Sequence, residues 1–375
     1  MKRAACLLMC MVLITACTAP RDRSATINNA PGNAPLEKVA EFDDRLVTCV
    51  TVTETGRIFV NFPLWYPQWY QGAVAELVDG RLVAYPDARW NSWRLDDRAD
   101  PAGRFVCVQS VYADQRGSLW VLDPGAPWPT GLVADAPKLV RIDLASDRVA
   151  RVYGLGPAVA PEGSYLNDVR IDHAHDHAYI TDSGRGALVV VDLETGAARW
   201  VLSGHPAAQA EDVTPMIGGR ALAGPEGNVP KIHADGIAFD PAHSQLYIHA
   251  LTGYHTWQLP TLGLRYPGTK WPRLDLGSDA ITDGMHLDRA GNLYFTALEY
   301  DGILKRDVKG NLTPVVIDPR LRWPDTLAIG PDGYLYITTS QIHLTPRFTG
   351  DNAKPDQPWA LWRIKLDIEH PVQPE

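Results

Sequence analysis

The sequence predicts an all-β protein, a six-bladed β-propeller of four-stranded antiparallel blades with its ring closed by an N-terminal strand. Three observations predict it. One hairpin phrase recurs along the chain: an alternating strand, an Asp/Gly/Pro turn, then a strand of Leu, aromatic and β-branched residues. A second hairpin follows most copies, which completes the four strands of a propeller blade. The last copy ends in one unpaired strand, and a segment near the N-terminus can pair with it, hiding the edges an open sheet would leave.

Taken in order, the first twenty residues, MKRAACLLMCMVLITACTAP, carry processing information rather than fold. A basic start precedes an apolar run from Ala4 to Ala16, too short to span a bilayer. The run ends Ile14-Thr15-Ala16-Cys17, which resembles the bacterial lipobox, where the cysteine is lipidated and becomes the mature N-terminus. An ordinary secretory leader is the alternative. Residues 1–16 are thus expected to be a lipoprotein signal peptide, with Cys17 the lipidation site. Thr18 rather than Asp after it implies the outer membrane of a Gram-negative cell. Residues 17–36, rich in Pro, Asn, Ala and Ser, read as a lipid-anchored flexible tether. The expected location is the cell envelope, periplasm-facing or at the outer membrane, or secreted.

The propeller is expected over residues 37–370. Its repeat is weak at 47–62 and clear at 108–123, 167–182, 234–250, 282–297 and 324–339. Second hairpins follow at 73–86, 138–153, 187–202 and 302–317, on the Asp-Gly, Ala-Ser-Asp, Glu-Thr-Gly and Lys-Gly turns that tight β-connections favour. The final strand, 360–368, has its partner in residues 36–42. Two long insertions, 203–232 and 340–358, interrupt the rhythm, and loops of this length in a compact domain are functional or disordered; they are placed to roof one end of the channel.

The chain carries 35 basic and 44 acidic residues, a formal charge of −9. That balance argues against nucleic acid and against electrostatic attachment to anionic lipid, so membrane contact is expected only through the N-terminal lipid. A monomer taking a small-molecule ligand is the expectation. Outside the leader and Cys17, only Cys49 and Cys107 remain, either as a disulfide or as two isolated buried thiols. No Cys/His spacing supports structural zinc.

The runs RIFVNFPLW, VDGRLVAYPDARWN, FVCVQSVYADQRGSLWVLDPG, SYLNDVRID, AYITDSGRGALVVVDLETG, ADGIAFDP and TPRFTGDN…WALWRI resemble the yellow/major royal jelly protein family over essentially residues 37–368. The resemblance implies a secreted six-bladed propeller; the family includes proteins linked to dopachrome conversion and salivary binders of biogenic amines. A more distant resemblance is to the calcium-dependent lactonases of the gluconolactonase and senescence-marker group. A small-molecule binder is therefore the main expectation. The alternatives are a metal-dependent lactonase-like hydrolase, a dopachrome-type isomerase, or a protein-interaction scaffold.

In a propeller the first strand of each blade lines the channel, and ligands bind at a mouth. Counting back from the aromatic of each second strand gives one equivalent position per blade: Thr48, Gln109, Asp168, Asp235, Asp283 and Asp325. Hairpin symmetry adds Asp123 opposite Gln109, Asp182 opposite Asp168 and His249 near Asp235, with Glu299 just past the matching place in the fifth blade. The result is a carboxylate-rich ring at one mouth. Each Asp caps its own blade, or the ring takes a hard cation such as Ca²⁺, or it recognises a protonated amine. Asp168, Asp235 and Asp283 are the residues a divalent cation would use. The lactonase resemblance implies Glu, Asn, Asn and Asp as ligands. Here Arg45–Cys49 offers no Glu, and only Asp235 or Asp283 keeps a matching type.

Twelve Trp is generous for this length, and large rings also serve blade packing. Tyr165, just before Asn167 and Asp168, and Trp323, just before Asp325, are expected at the mouth. His173, His175 and His177 alternate as metal ligands on a strand would, but they occupy a turn roughly 20 Å from the Asp168 level. No Ser-His-Asp arrangement, phosphate loop or dinucleotide fingerprint is present.

Overall fold

Six four-stranded antiparallel sheets follow one another around a ring in the computed structural model, which describes residues 35–96, 100–266, 268, 272–350 and 353–367. The innermost strands of blades 1 to 6 are Val50–Val52, Ser110–Ala113, Leu166–Asp172, Ala234–Asp240, Met285–Leu287 and Pro324–Ile329. Each packs beside the next, and the sixth returns to the first.

The sequence pattern explains the layering. Second strands such as Ser118–Asp123 and Leu293–Ala297 are buried at every position, because neighbouring blades cover both faces. Outer strands such as Arg81–Ala84 and Arg148–Gly154 meet water and are mostly exposed. Apolar side chains from adjacent blades interlock between the sheets: Trp120 and Leu122 of blade 2 share a cluster with Leu166, Val169 and Ile171 of blade 3.

The ring closes between its ends. Glu37–Phe42 pairs antiparallel with Trp359–Lys365 as the outer strand of blade 6, and Arg363 Nε donates to Glu37 Oε2 at 2.8 Å. Phe42 then packs edge-on against Phe62 of blade 1, centroids 5.5 Å apart.

Blade 4 has the second hairpin that no sequence repeat announced. Its strands, His255–Pro260 and Leu274–Ser278, are joined through the short helix Thr261–Arg265 instead of a tight turn. Arg265 secures that helix to blade 3 through a buried ion pair with Asp172, at 3.1 Å.

Both insertions fold over the same mouth. Residues 203–232 include a small ribbon, Met216–Ile217 with Arg220–Ala221, and residues 340–358 include the helical turn Pro346–Thr349. Ile217 and Leu222 from the first meet Ile342 and Phe348 from the second around buried Trp323. Cys49 and Cys107 are free buried thiols, so of the two expectations the disulfide does not form. Among the described residues, no helix is long and apolar enough to cross a membrane. The signal peptide, Cys17 and nearly all of the tether lie outside the described residues.

Candidate functional site

The site is built where the innermost strands begin. In blades 3, 4 and 6 the pairing register slips, between Leu166 and Val169, Ala234 and Ile237, and Pro324 and Leu327. Each bulge contains one ring aspartate: Asp168, Asp235 or Asp325. A bulge turns a side chain away from the ladder and leaves backbone N–H groups needing partners. Threonines of the second strands supply them. The N–H of Asp168 donates to Thr181 Oγ1 at 3.1 Å, that of Asp283 to Thr296 Oγ1 at 3.0 Å, and that of Thr326 to Thr338 Oγ1 at 3.1 Å.

Contacts carry these positions around the whole ring. Thr48 Oγ1 donates to the Gln109 carbonyl at 3.4 Å, Ser110 Oγ to Asp168 Oδ1 at 2.6 Å, and Thr181 Oγ1 to the Asp235 carbonyl at 2.8 Å. Thr338 Oγ1 closes the circle on the Thr48 carbonyl. Between blades 4, 5 and 6 the approach is closer still. A Cβ on Gly236 would stand 2.6 Å from the Asp283 carbonyl oxygen, and one on Gly284 2.3 Å from that of Asp325, so only glycine fits.

This crowding sets the electrostatics. Asp235, Asp283 and Asp325 are all buried. Burial, reinforced by the neighbouring carboxylates, raises the Asp235 and Asp325 carboxyls well above the usual range. Asp283 is pushed up to about 7, by burial first, with the Trp323 indole and Asp235 opposing and Asp168 adding to the rise. The Asp235 and Asp283 carboxyls lie close enough that each shifts the other's proton affinity, so that the pair keeps one proton between them near neutral pH. Trp323 Nε1 donates to Asp283 Oδ2 at 2.7 Å, and Ser340 Oγ to Asp325 Oδ2 at 2.7 Å.

A cavity of about 440 Å³ opens over the Asp235–Asp283 pair. Gln109 and Asn167 share its lining, Trp65, Tyr66, Trp128, Tyr165 and Trp323 supply rings, and Lys231 and Arg347 supply positive charge. Trp65 Nε1 donates to the Tyr165 hydroxyl at 2.7 Å, which donates to Gln109 Oε1 at 2.8 Å, so that wall is rigid. Trp323 is held in the left-handed region, φ 52°, an uncommon and strained conformation for a bulky residue. Its ring lies parallel to His343 with centroids 5.8 Å apart, which fixes the indole that reaches Asp283.

Six of the residues singled out from sequence therefore line one cavity: Gln109, Tyr165, Asn167, Asp235, Asp283 and Trp323. The other six stand elsewhere. Asp325 lies beside the pair but outside the cavity lining. Asp168 lines a narrower channel of about 100 Å³ with Cys49, Arg170 and His286. Asp123 is a structural cap, accepting from the Val106 and Cys107 N–H groups and from Lys138 Nζ at 2.8 Å. Asp182 does the same for Ser164 Oγ and the N–H groups of Tyr165, Gly184 and Arg185. Glu299 accepts from the Met216 N–H at 2.8 Å and pins the ribbon. His249 takes the second-strand position that Thr181, Thr296 and Thr338 hold in their blades, fully buried with neither ring nitrogen hydrogen-bonded.

Among the described residues no group of three or more His, Cys, Asp or Glu side chains is placed to hold a metal ion. Of the three carboxyls expected to take a cation, Asp168 turns toward Ser110 Oγ, and Asp235 and Asp283 line the cavity together. His173 and His175 lie by the hairpin turn at the other end of blade 3, where His175 Nδ1 is 2.9 Å from Asp172 Oδ1. Lys231 and Arg347 escaped sequence reasoning because both sit in the insertions, where no repeat marks a position.

The fold and this mouth define a class, the six-bladed propeller with an aromatic-walled cavity over a carboxyl pair at the channel entrance. The family model for major royal jelly protein matches residues 106–357, and the chain belongs to that family. It is 27% identical over 166 residues to Protein yellow of Drosophila subobscura, a match covering 40% of this chain and 28% of that protein. Among solved structures, a putative gluconolactonase superposes with a TM-score of 0.55 at 13% identity, covering 95% of this chain and 99% of the other. A luciferin-regenerating enzyme gives 0.54 at 12% identity, over 89% and 96%. A gluconolactonase from Xanthomonas campestris gives 0.52 at 14% identity, over 90% and 96%. At such identities these neighbours speak to the fold alone.

Proposed function

We propose that this protein is an exported cell-envelope propeller, tethered through a lipid on Cys17, that binds a small amine-bearing or aromatic molecule at the channel mouth. The observation that carries the reading is the 440 Å³ cavity in which aromatic faces stand over the Asp235–Asp283 pair. Carboxylates supply charge to an ammonium group and rings supply cation–π attraction and stacking. Thermal-shift screening followed by calorimetry with tyramine, dopamine, catechol and gluconolactone tests it. An amine is expected to stabilise the protein and to bind at least tenfold more weakly to Asp283→Asn. Absence of any shift would favour the scaffold alternative.

One observation supports a catalytic second reading. Two carboxyls sharing a proton, with Asp283 near 7, hold a donor and an acceptor side by side at neutral pH, which suits the proton transfers of a dopachrome-type isomerase. Turnover of such a substrate, lost in Asp283→Asn, would move the protein from binder to enzyme.

A further inference from the structure

We infer that the mouth cavity selects a dipolar ligand, one that carries an anionic group at the Arg347 side and an amine at the Asp235–Asp283 side, with an aromatic ring between. The inference rests on the cavity being the ligand site, as proposed above.

Arg347 projects from the helical turn Pro346–Thr349, whose Phe348 is locked into the cluster around Trp323. Its backbone N–H donates to the Tyr66 hydroxyl at 3.3 Å, which fixes the turn against the cavity wall. Arg347 lines the cavity in the neighbourhood of Tyr66, Tyr165 and Asp235. Arg347 is exposed to solvent, and the protein around it lowers its pKa by removing part of its water.

What sets Arg347 apart is the lack of an acid: its guanidinium lies over the ring of its neighbour Phe348, 5.5 Å from the centroid. Neighbouring arginines have acids within reach: Arg320 holds Asp318 at 2.7 Å, Arg322 lies 3.5 Å from Asp356, and Arg306 holds Asp279. Lys231, the other cation on the cavity, is engaged by Asp212 Oδ1 at 3.0 Å and the Glu211 carbonyl. Arg347 forms no ion pair with an Asp or Glu among the described residues. Asp235 does not serve, because burial and the neighbouring Asp283 favour its protonated form. An accessible guanidinium without an acid is free to take one, and its planar fork matches a carboxylate in two parallel hydrogen bonds. One cavity lining therefore holds a cation without an acid together with a titrating carboxyl pair. An α-amino acid with an aromatic side chain has the charges and the ring to meet all three.

The test is calorimetry on the full chain with three probes: tyrosine, tyramine, which lacks the carboxylate, and 3-(4-hydroxyphenyl)propionate, which lacks the amine. Tyrosine is expected to bind at least tenfold tighter than either. In Arg347→Gln its advantage over tyramine should shrink to less than threefold, and Arg347→Lys should keep an intermediate preference. Thermal melts of both variants establish that they are folded. If tyramine binds wild type as tightly as tyrosine, or if folded Arg347→Gln keeps the preference, the dipolar inference is overturned while the cavity reading stands. If none of the three probes binds the wild-type protein, the cavity reading falls and takes the inference with it.

Discussion

Asp283 accepts the indole proton of Trp323 and shares another with Asp235, so its charge answers to two buried neighbours rather than to water. Its carboxyl titrates at about 7 in the fold, against an ordinary value of 3.8. Because the folded value is the higher one, the group contributes stability that is complete below about pH 4 and lost as pH rises through 7. Wild type should therefore melt at falling temperature between about pH 4 and 7, with no further loss from this group above 7, and Asp283→Asn should flatten that slope. The difference is on the order of 1.4 kcal/mol per pH unit within the window, a few kcal/mol in all. Thermal unfolding of both proteins across that range checks it. Amine binding runs the opposite way, since the carboxylate that attracts an ammonium appears only as Asp283 ionises; tyramine affinity should rise roughly tenfold from pH 6 to 8. The recurring aspartates were visible in the sequence because they repeat. What it did not separate was Asp235 and Asp283 from the caps Asp123 and Asp182, whose N–H donors come in part from loops well upstream.

The bulged start of each inner strand is the element that turns a repeat into a site. Thr181 is its simplest lever, for its hydroxyl accepts from the Asp168 N–H and donates to the Asp235 carbonyl of the next blade. Thr181→Val keeps the shape and leaves both buried groups without that partner, at a cost of roughly 1–3 kcal/mol for each. Urea unfolding should show the loss, with Thr181→Ser restoring most of it; a Val variant as stable as wild type would mean the hydroxyl holds nothing. Periodicity found the strands that carry these bulges, since alternation and turn chemistry are local. It could not find the outer hairpin of blade 4, because the helix Thr261–Arg265 replaces the turn and is held by Asp172 in another blade.

The whole molecule is held by a joint between its ends. The closing strand was legible because 360–368 was left over in the repeat count and an unpaired edge demands a partner. The roofing of one mouth by the two insertions was legible from their length and place; that they meet each other around Trp323 was not, for that contact exists only in space. Deleting residues 1–42 would bare the edge of Trp359–Lys365 and remove the Glu37–Arg363 ion pair. Such a protein should melt several degrees lower and associate with rising concentration, which light scattering would report; a stable monomer would show that the joint is dispensable.

That joint also imposes an order on biosynthesis. Glu37–Phe42 leaves the ribosome long before the strand it pairs with, Trp359–Lys365. Chains stalled between Thr339 and Trp359 hold the inner hairpins of all six blades and still lack the strand that pairs with Glu37–Phe42. At about 5–20 residues per second, the stretch from Pro324 to Lys365 takes a few seconds, and only then can the ring shut. Closing a loop of such length is slow in entropy terms. The newborn chain thus spends most of its synthesis with an adhesive edge that a holding chaperone would have to cover.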